Sequence, residues 1–229
     1  SLWFLIGHLL YKKRFGGGLY NKEKQKIEKA YTWLSYQDMG EDFLLEQNPT
    51  TDWQDAFPHR YGHTINTQAL WYKVLLTFDK KTAKIVNEKV NYNKDDKLWN
   101  GEYYISWRWK NHGNFHEKGN WFDTLGNLLA ILFDLATQQQ SQSILNYIDK
   151  HSIAQPYPIK AIYPPIKNNS EFWQDYFNDC QAKNPNQYLN GGIWTYIGGF
   201  YILALIKLNR INDAELHLQK LAEANLKNP

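Results

Sequence analysis

The spacing of helical patterning limits this 229-residue chain more than any other feature. Seven stretches carry it: 1–13, 21–37, 64–90, 125–139, 141–151, 191–208 and 212–227. SLWFLIGHLLYKK, at 1–13, is apolar all round, which predicts a buried helix that Gly16 to Gly18 stop. In 21–37, Ile27, Ala30, Tyr31 and Leu34 share one face, and KEKQKIEK supplies a solvated one. In 64–90, Ala69, Tyr72, Leu76 and Ala83 form a stripe with room for a break at Asp79. The segment 141–151 follows 125–139 closely enough for a helical hairpin. In 212–227, Asn212 is the expected N-cap, and Leu216, Leu218 and Leu221 are the expected inward stripe.

Three connections remain, 38–63, 91–124 and 152–190. Each is longer than a compact domain usually leaves unstructured, which marks it as a place for function. ISWRW at 105–109 alternates and predicts one short strand in a loop hairpin. The expected fold class is all-α: helical hairpins with long loops on one face, as in an α/α toroid, in a single domain over 1–229.

Charge and cysteine content exclude several classes. The net charge of +3 and the lack of a basic run argue against a nucleic-acid partner. Leu2 to Leu10 is far shorter than the roughly 20 apolar residues that span a bilayer, so no membrane association is expected. Cys180 stands alone, which rules out a disulfide within the chain and points to a reducing, cytoplasmic setting. No Walker loop, dinucleotide fingerprint or nucleophile elbow is present, and no cofactor is expected. Aromatic residues make up 16%, and several sit among Gly, Asn and charged residues, as in WNGEYYISWRW, GNWFD and NGGIW. That mixture suits carbohydrate, whose rings have an apolar face edged with hydroxyls, although core packing alone also uses aromatics.

The stretch TTDWQDAFPHRYGHTINTQALWY, 50–72, holds most of the candidate chemistry. Glycosidic cleavage needs an acid to protonate the leaving oxygen, and a Trp beside a carboxyl can keep it protonated by desolvation. Asp52 and Asp55 flank Trp53 in such a pattern, which is weak by itself, and an Asp N-cap or turn bonded to local backbone is the plainer reading. His59 and His63 have zinc-like spacing, yet Pro58 and Gly62 break the helix it would need and no third ligand is nearby in sequence. No metal is therefore expected, and His59, Arg60 and His63 are read as a sugar-binding rim. Asp123 and Asn127 fall at the loop end of a helix. Asn190, Gly191, Gly192 and Trp194 form a turn where backbone can approach a ligand.

In order, DWQDAFPHRYGHTINTQALWY, FDTLGNLLAILFDLA and YLNGGIWTYIGGFYILALIKL resemble motifs of the six-hairpin (α/α)6 glycoside hydrolases. The likeness is to the glycogen-debranching amylo-α-1,6-glucosidases and the neutral/alkaline invertases, and it covers most of 1–226. The resemblance implies inverting hydrolysis of an α-glucosidic or sucrose-type bond, with an Asp acid in a W-x-D motif and a Glu base. The acid then falls on Asp55, with Asp52 as second choice. Trp53, His59, Arg60, His63, Gln68, Trp107, Trp121, Asp123, Asn127, Asn190, Gly191, Gly192 and Trp194 become candidate sugar contacts, with Trp99 beside them.

The family's base lies in a loop after the last helix seen here, so the resemblance implies a partial catalytic domain whose base is outside this chain. Glu102 and Glu171 are the loop glutamates that could substitute, and neither sits in a matching motif. Two alternatives stand beside the hydrolase: a toroid that binds saccharide without cleaving it, and an epimerase or isomerase using His59, His63, His112 or His116. The apolar stretches 2–10 and 193–208 are expected to need cover from self-association or from further segments of the domain.

Overall fold

The computed structural model describes residues 1–109, 117–173, 175–180 and 183–227. The first 35 residues form helices α1 (Leu2–Phe15), α2 (Gly18–Lys22) and α3 (Lys24–Ser35). Gly16, at φ 88°, ends α1 in a conformation that a side chain would disfavour. The stretch expected as one helix over 21–37 is interrupted at Glu23, the C-cap of α2 and N-cap of α3. Among the described residues α1 is not buried all round: Leu5 and Ile6 are fully buried, but Trp3, Phe4, Leu10, Tyr11 and Phe15 face outward.

The break for which 64–90 has room does occur and has a visible cause. Helix α4 (Ile65–Phe78) gives way to α5 (Lys80–Tyr92) at Asp79. The Asp79 carboxylate accepts the Lys81 and Thr82 backbone N–H groups, each at 3.1 Å, and the Thr82 hydroxyl at 2.7 Å. The Thr82 bonds lead in holding this carboxyl below its ordinary value, so its contribution is present near neutrality and is lost as pH falls through the lowered pKa. Asp79→Ala should cost about 1 kcal/mol at pH 7. The gap to wild type should close in acid, as read by urea midpoints at the two pH values.

Helices α6 (Thr124–Leu132), α7 (Gln138–Lys150), α8 (Thr195–Lys207) and α9 (Ile211–Lys227) complete the helical part. Helix α6 stops short of the expected 139, with Asp134 in a left-handed conformation at φ 64°. Lys207 reaches from α8 to the freed end of α6, donating to the carbonyls of Ile131 (2.7 Å) and Leu132 (3.1 Å) and to Asp134 (2.6 Å). A capping box of Thr137 and Gln140 opens α7. Asn212 lies inside the first turn of α9 and is not its cap. The α9 stripe is partly displaced from expectation: Leu221 packs on the core beside buried Ala214 and His217, whereas Leu216 and Leu218 are exposed.

Helices α1, α4, α6 and α8 pack successively side by side, while α5, α7 and α9 each pack on the helix before them. This is a succession of helical hairpins. Gly126 makes the α4–α6 contact possible, since a Cβ there would lie 2.4 Å from Ile65 Cγ2 and 2.8 Å from an Asp123 oxygen.

The all-α expectation requires correction. Strands β1 (His63–Thr64), β2 (Ile105–Arg108), β3 (Lys118–Asp123) and β4 (Ile162–Tyr163) form one antiparallel sheet in the order β1-β2-β3-β4. The alternation in ISWRW marks β2, whereas β1 and β4 have two residues each and the six of β3, KGNWFD, lack a regular alternation, so all three fall in stretches expected as loop or helix start. Register places Thr64 opposite Trp107, Ile105 opposite Phe122, and Phe122 opposite Tyr163. Strand β1 runs straight into α4 and β3 into α6. The backbone next to β4 bonds to the entry of α8, through Ala161 N–H to Gly192 O (2.8 Å) and Trp194 N–H to Ile159 O (3.0 Å). The sheet therefore ties together the long connections at the N-terminal ends of α4, α6 and α8. No helix among the described residues is long and apolar enough to cross a membrane.

Candidate functional site

Arg60 organises the region where these helix starts meet. Its side chain has no solvent exposure, and its guanidinium pairs with Asp123 and, at 2.6 Å, with Asp52 Oδ2. Burial works against its charge, but the two aspartates more than offset this and hold Arg60 protonated. Asp123, also fully buried, caps α6 through the Gly126 N–H at 3.3 Å. Burial raises its carboxyl above the ordinary value, with Arg60 opposing. Arg60, expected on a sugar-binding rim, and Asp123, expected as a sugar contact, are thus buried charges paired with each other. A guanidinium can only be buried here because two carboxylates meet it.

Asp52 is used as an acceptor on both oxygens. Its Oδ2 forms the ion pair with Arg60 and accepts the Gln47 amide (3.1 Å), and its Oδ1 accepts the Gln54 N–H (2.9 Å). Gln47 is itself fixed, accepting from the hydroxyls of Thr64 (2.7 Å) and Thr67 (2.6 Å). Sequence reasoning passed over Gln47, which carries no motif signal. Beside Asp52, Trp53 stands edge-on to Trp194 and to Tyr196, with ring centroids 6.0 and 5.7 Å away. Burial, then the charge of Asp123, raises the Tyr196 phenol above its ordinary value, so it is a neutral hydroxyl here. Tyr196 was likewise not anticipated, although it follows Trp194 by two residues in the sequence.

Asp52, Trp53 and Tyr196 line a cleft of about 770 Å³ that continues along Thr67, Leu125 and Phe200. That volume falls in the range of small-molecule sites. Asp55 is exposed and does not line this cleft, and no hydrogen bond or ion pair among the described residues holds its carboxyl. His59, Trp107 and Trp121 lie apart from Trp53, in a second hollow of about 520 Å³ with Tyr61, Glu117 and Glu171. The structure thus divides the candidate residues between two hollows.

The remaining candidates serve the backbone. Gln68 bonds Leu45 through both its N–H (3.1 Å) and its carbonyl (2.7 Å). Asn127 does the same for Tyr104 at 2.9 and 2.8 Å, pinning β2 to α6. Asn190 holds Ile166 at 2.7 and 2.8 Å and the Lys183 carbonyl at 2.7 Å. These three buried amides were read as sugar contacts, but local backbone occupies their polar atoms. Gly191, at φ 84°, and Gly192, where a Cβ would lie 2.3 Å from Tyr188 O, make the tight turn that places Trp194. Trp99 packs edge-on against Tyr104 at 5.0 Å. His63 is buried beside Glu46 and Asp42 rather than on a rim. His112 and His116 lie outside the described residues.

Helical hairpins with long connections beside an aromatic, carboxylate-bearing cleft place the chain among proteins built on paired helices. A family profile described as alkaline and neutral invertase matches residues 100–228, more than half of the chain, and the chain belongs to that family. Its matched residues include Asp123, Asn127 and the 190–194 turn, while the DWQD stretch lies outside them. In rice (Oryza sativa subsp. japonica), the neutral/alkaline invertase 1, mitochondrial, is 36% identical over 107 residues, which are 46% of this chain and 17% of that protein. Rice cytosolic invertase 1 is 37% identical over 109 residues, 46% of this chain and 18% of that protein. A probable alkaline/neutral invertase A, chloroplastic, of Arabidopsis thaliana is 33% identical over 96 residues, 41% of this chain and 15% of that protein. The matched stretch therefore spans less than a fifth of the length of each of these relatives.

Proposed function

We propose that this chain forms part of an inverting glycoside hydrolase acting on a sucrose-type or α-glucosidic bond. The observation that carries this reading is the cleft bearing Asp52, Trp53 and Tyr196 at the N-terminal ends of α4, α6 and α8. Its mixed wall suits a sugar ring, with aromatic faces for C–H groups and polar atoms for hydroxyls. The invertase relatives support the same substrate class. In this reading the W-x-D likeness assigns the general acid to Asp55, whose carboxyl is unengaged but lies outside the cleft lining, and Asp52 positions substrate or loop. Trp53 forms the sugar platform at the cleft, backed edge-on by Trp194. Trp107, Trp121 and His59 belong to a more distant subsite in the second hollow.

The same reading extends to the fold, the partners and the setting. The helix pairs are successive hairpins of an (α/α)6 ring within one catalytic domain. Outward apolar residues such as Phe15 on α1 and Leu203 on α8 pack against further hairpins or a second copy. The lone cysteine suits a reducing compartment, for which the cytoplasm is the location proposed.

A second reading, saccharide binding without hydrolysis, is favoured by the full engagement of Asp52 and by the position of Asp55 outside the cleft lining. Calorimetric titration with sucrose and with a malto-oligosaccharide, beside a reducing-sugar assay, separates the two. Heat of binding with release of reducing sugar is the expected result. Binding without product supports the second reading, and neither binding nor product overturns both.

A further inference from the structure

We propose that Asp42, Glu46 and His63 bind a divalent cation of the zinc type behind the cleft wall. The His63 side chain is 1% exposed, yet neither ring nitrogen has a hydrogen-bond partner. A buried imidazole without a well-formed hydrogen bond is costly, and a closer partner at its ring would offset that cost. Its Nε2 faces two carboxylate oxygens, Glu46 Oε1 at 3.5 Å and Asp42 Oδ2 at 3.9 Å. Those separations are too long for good hydrogen bonds. They suit ligands that share an ion, because atoms each about 2.0–2.2 Å from zinc stand about 3–4 Å from one another.

The carboxylates are already oriented for this role. Asp42 Oδ1 accepts the Leu44 N–H at 3.1 Å, and Glu46 Oε2 accepts the Met39 N–H at 2.9 Å. Each carboxylate is thus pinned by one oxygen and turns the other toward the imidazole. The three ligand atoms lie within 4.8 Å of one another. Outer bonds that fix ligating groups are characteristic of metal centres.

The nearby charges leave room for a cation. Lys89 Nζ is 3.9 Å from Asp42 Oδ2 but hydrogen-bonds Asp96 instead, at 2.9 Å. Arg108, opposite His63 in the sheet, donates to the Asp95 carbonyl. One imidazole with two carboxylates suits zinc or manganese better than magnesium or calcium, which favour all-oxygen sites. The pairing of His63 with His59 considered from sequence fails because the partners lie upstream, in the loop before Gln47. An ion here would clamp that loop to β1, and Glu46 also lines the cleft.

Element analysis of the full chain tests the site, after stripping with EDTA, exposure to zinc chloride and desalting. One zinc per chain and a melting temperature several degrees higher are expected for wild type. Asp42→Asn and His63→Gln should each weaken zinc binding at least tenfold, whereas His151→Gln should leave it unchanged. His63→Gln perturbs a buried residue, so Asp42→Asn decides if circular dichroism shows His63→Gln unfolded. Absence of bound zinc in wild type, or equal retention by wild type and Asp42→Asn, overturns the proposal.

Discussion

Arg60→Met is expected to destabilise the protein by about 3–5 kcal/mol, which is a large share of the stability of an ordinary domain. The substitution keeps much of the side-chain volume, so cavity formation contributes little. What it removes is the countercharge of Asp123, which is fully buried, and of Asp52, whose side chain is 10% exposed. An ionised carboxylate in that setting has no compensation, and the helix cap on α6 must then protonate or admit water. Asp123→Asn keeps an N-cap oxygen, so the cost of Arg60→Met should be smaller in its presence. Denaturant midpoints for the two single variants and the double variant form a cycle, and a strongly non-additive outcome is expected. Additive effects, or a loss within experimental error for Arg60→Met, would show that the cluster carries little. Arg60→Lys should not rescue, because one ammonium lacks the fork that reaches both carboxylates.

The second large effect concerns chemistry. In a protein that hydrolyses sucrose, Asp55→Asn should lower kcat by about 10²–10⁴-fold, the range expected for loss of a general acid. Stability should change by no more than about 0.5 kcal/mol, because the residue is exposed and makes no described bond. Asp52→Asn should do the reverse in kind. It weakens the Arg60 pair and the Gln47 contact, so it lowers the unfolding midpoint and shifts KM more than kcat. If Asp55→Asn leaves turnover intact while Asp52→Asn abolishes it on a folded chain, the acid is Asp52 and the reading of Asp55 fails.

The helices were legible because their apolar positions recur at helical spacing. The Asp79 break was legible too, since Asp followed by Lys-Lys-Thr is helix-start chemistry. The exposed face of α1 was not, because patterning cannot say what packs against a helix. The sheet was half legible: β2 alternates, but β1 and β4 have two residues each and exist only through pairing. At the candidate site, Asp52 and Trp53 are neighbours in sequence and remain so in space. Asp123 is 63 positions from Arg60, and no local pattern announces that contact. Burial of an arginine in a polar, Gly-containing turn is likewise invisible until its two carboxylates are located.

The reach of Lys207 to the end of α6 has a consequence for how hairpins stack. Helix α6 has nine residues and α8 has thirteen, so their ends cannot coincide. The ammonium bridges that mismatch, using the carbonyls that the shorter helix leaves open. It spans the axial offset between one pair and the next, beside the direct packing of α6 on α8. Altering the length of that side chain would therefore shift the pitch of the succession, and with it the height of the wall that α8 presents to the cleft.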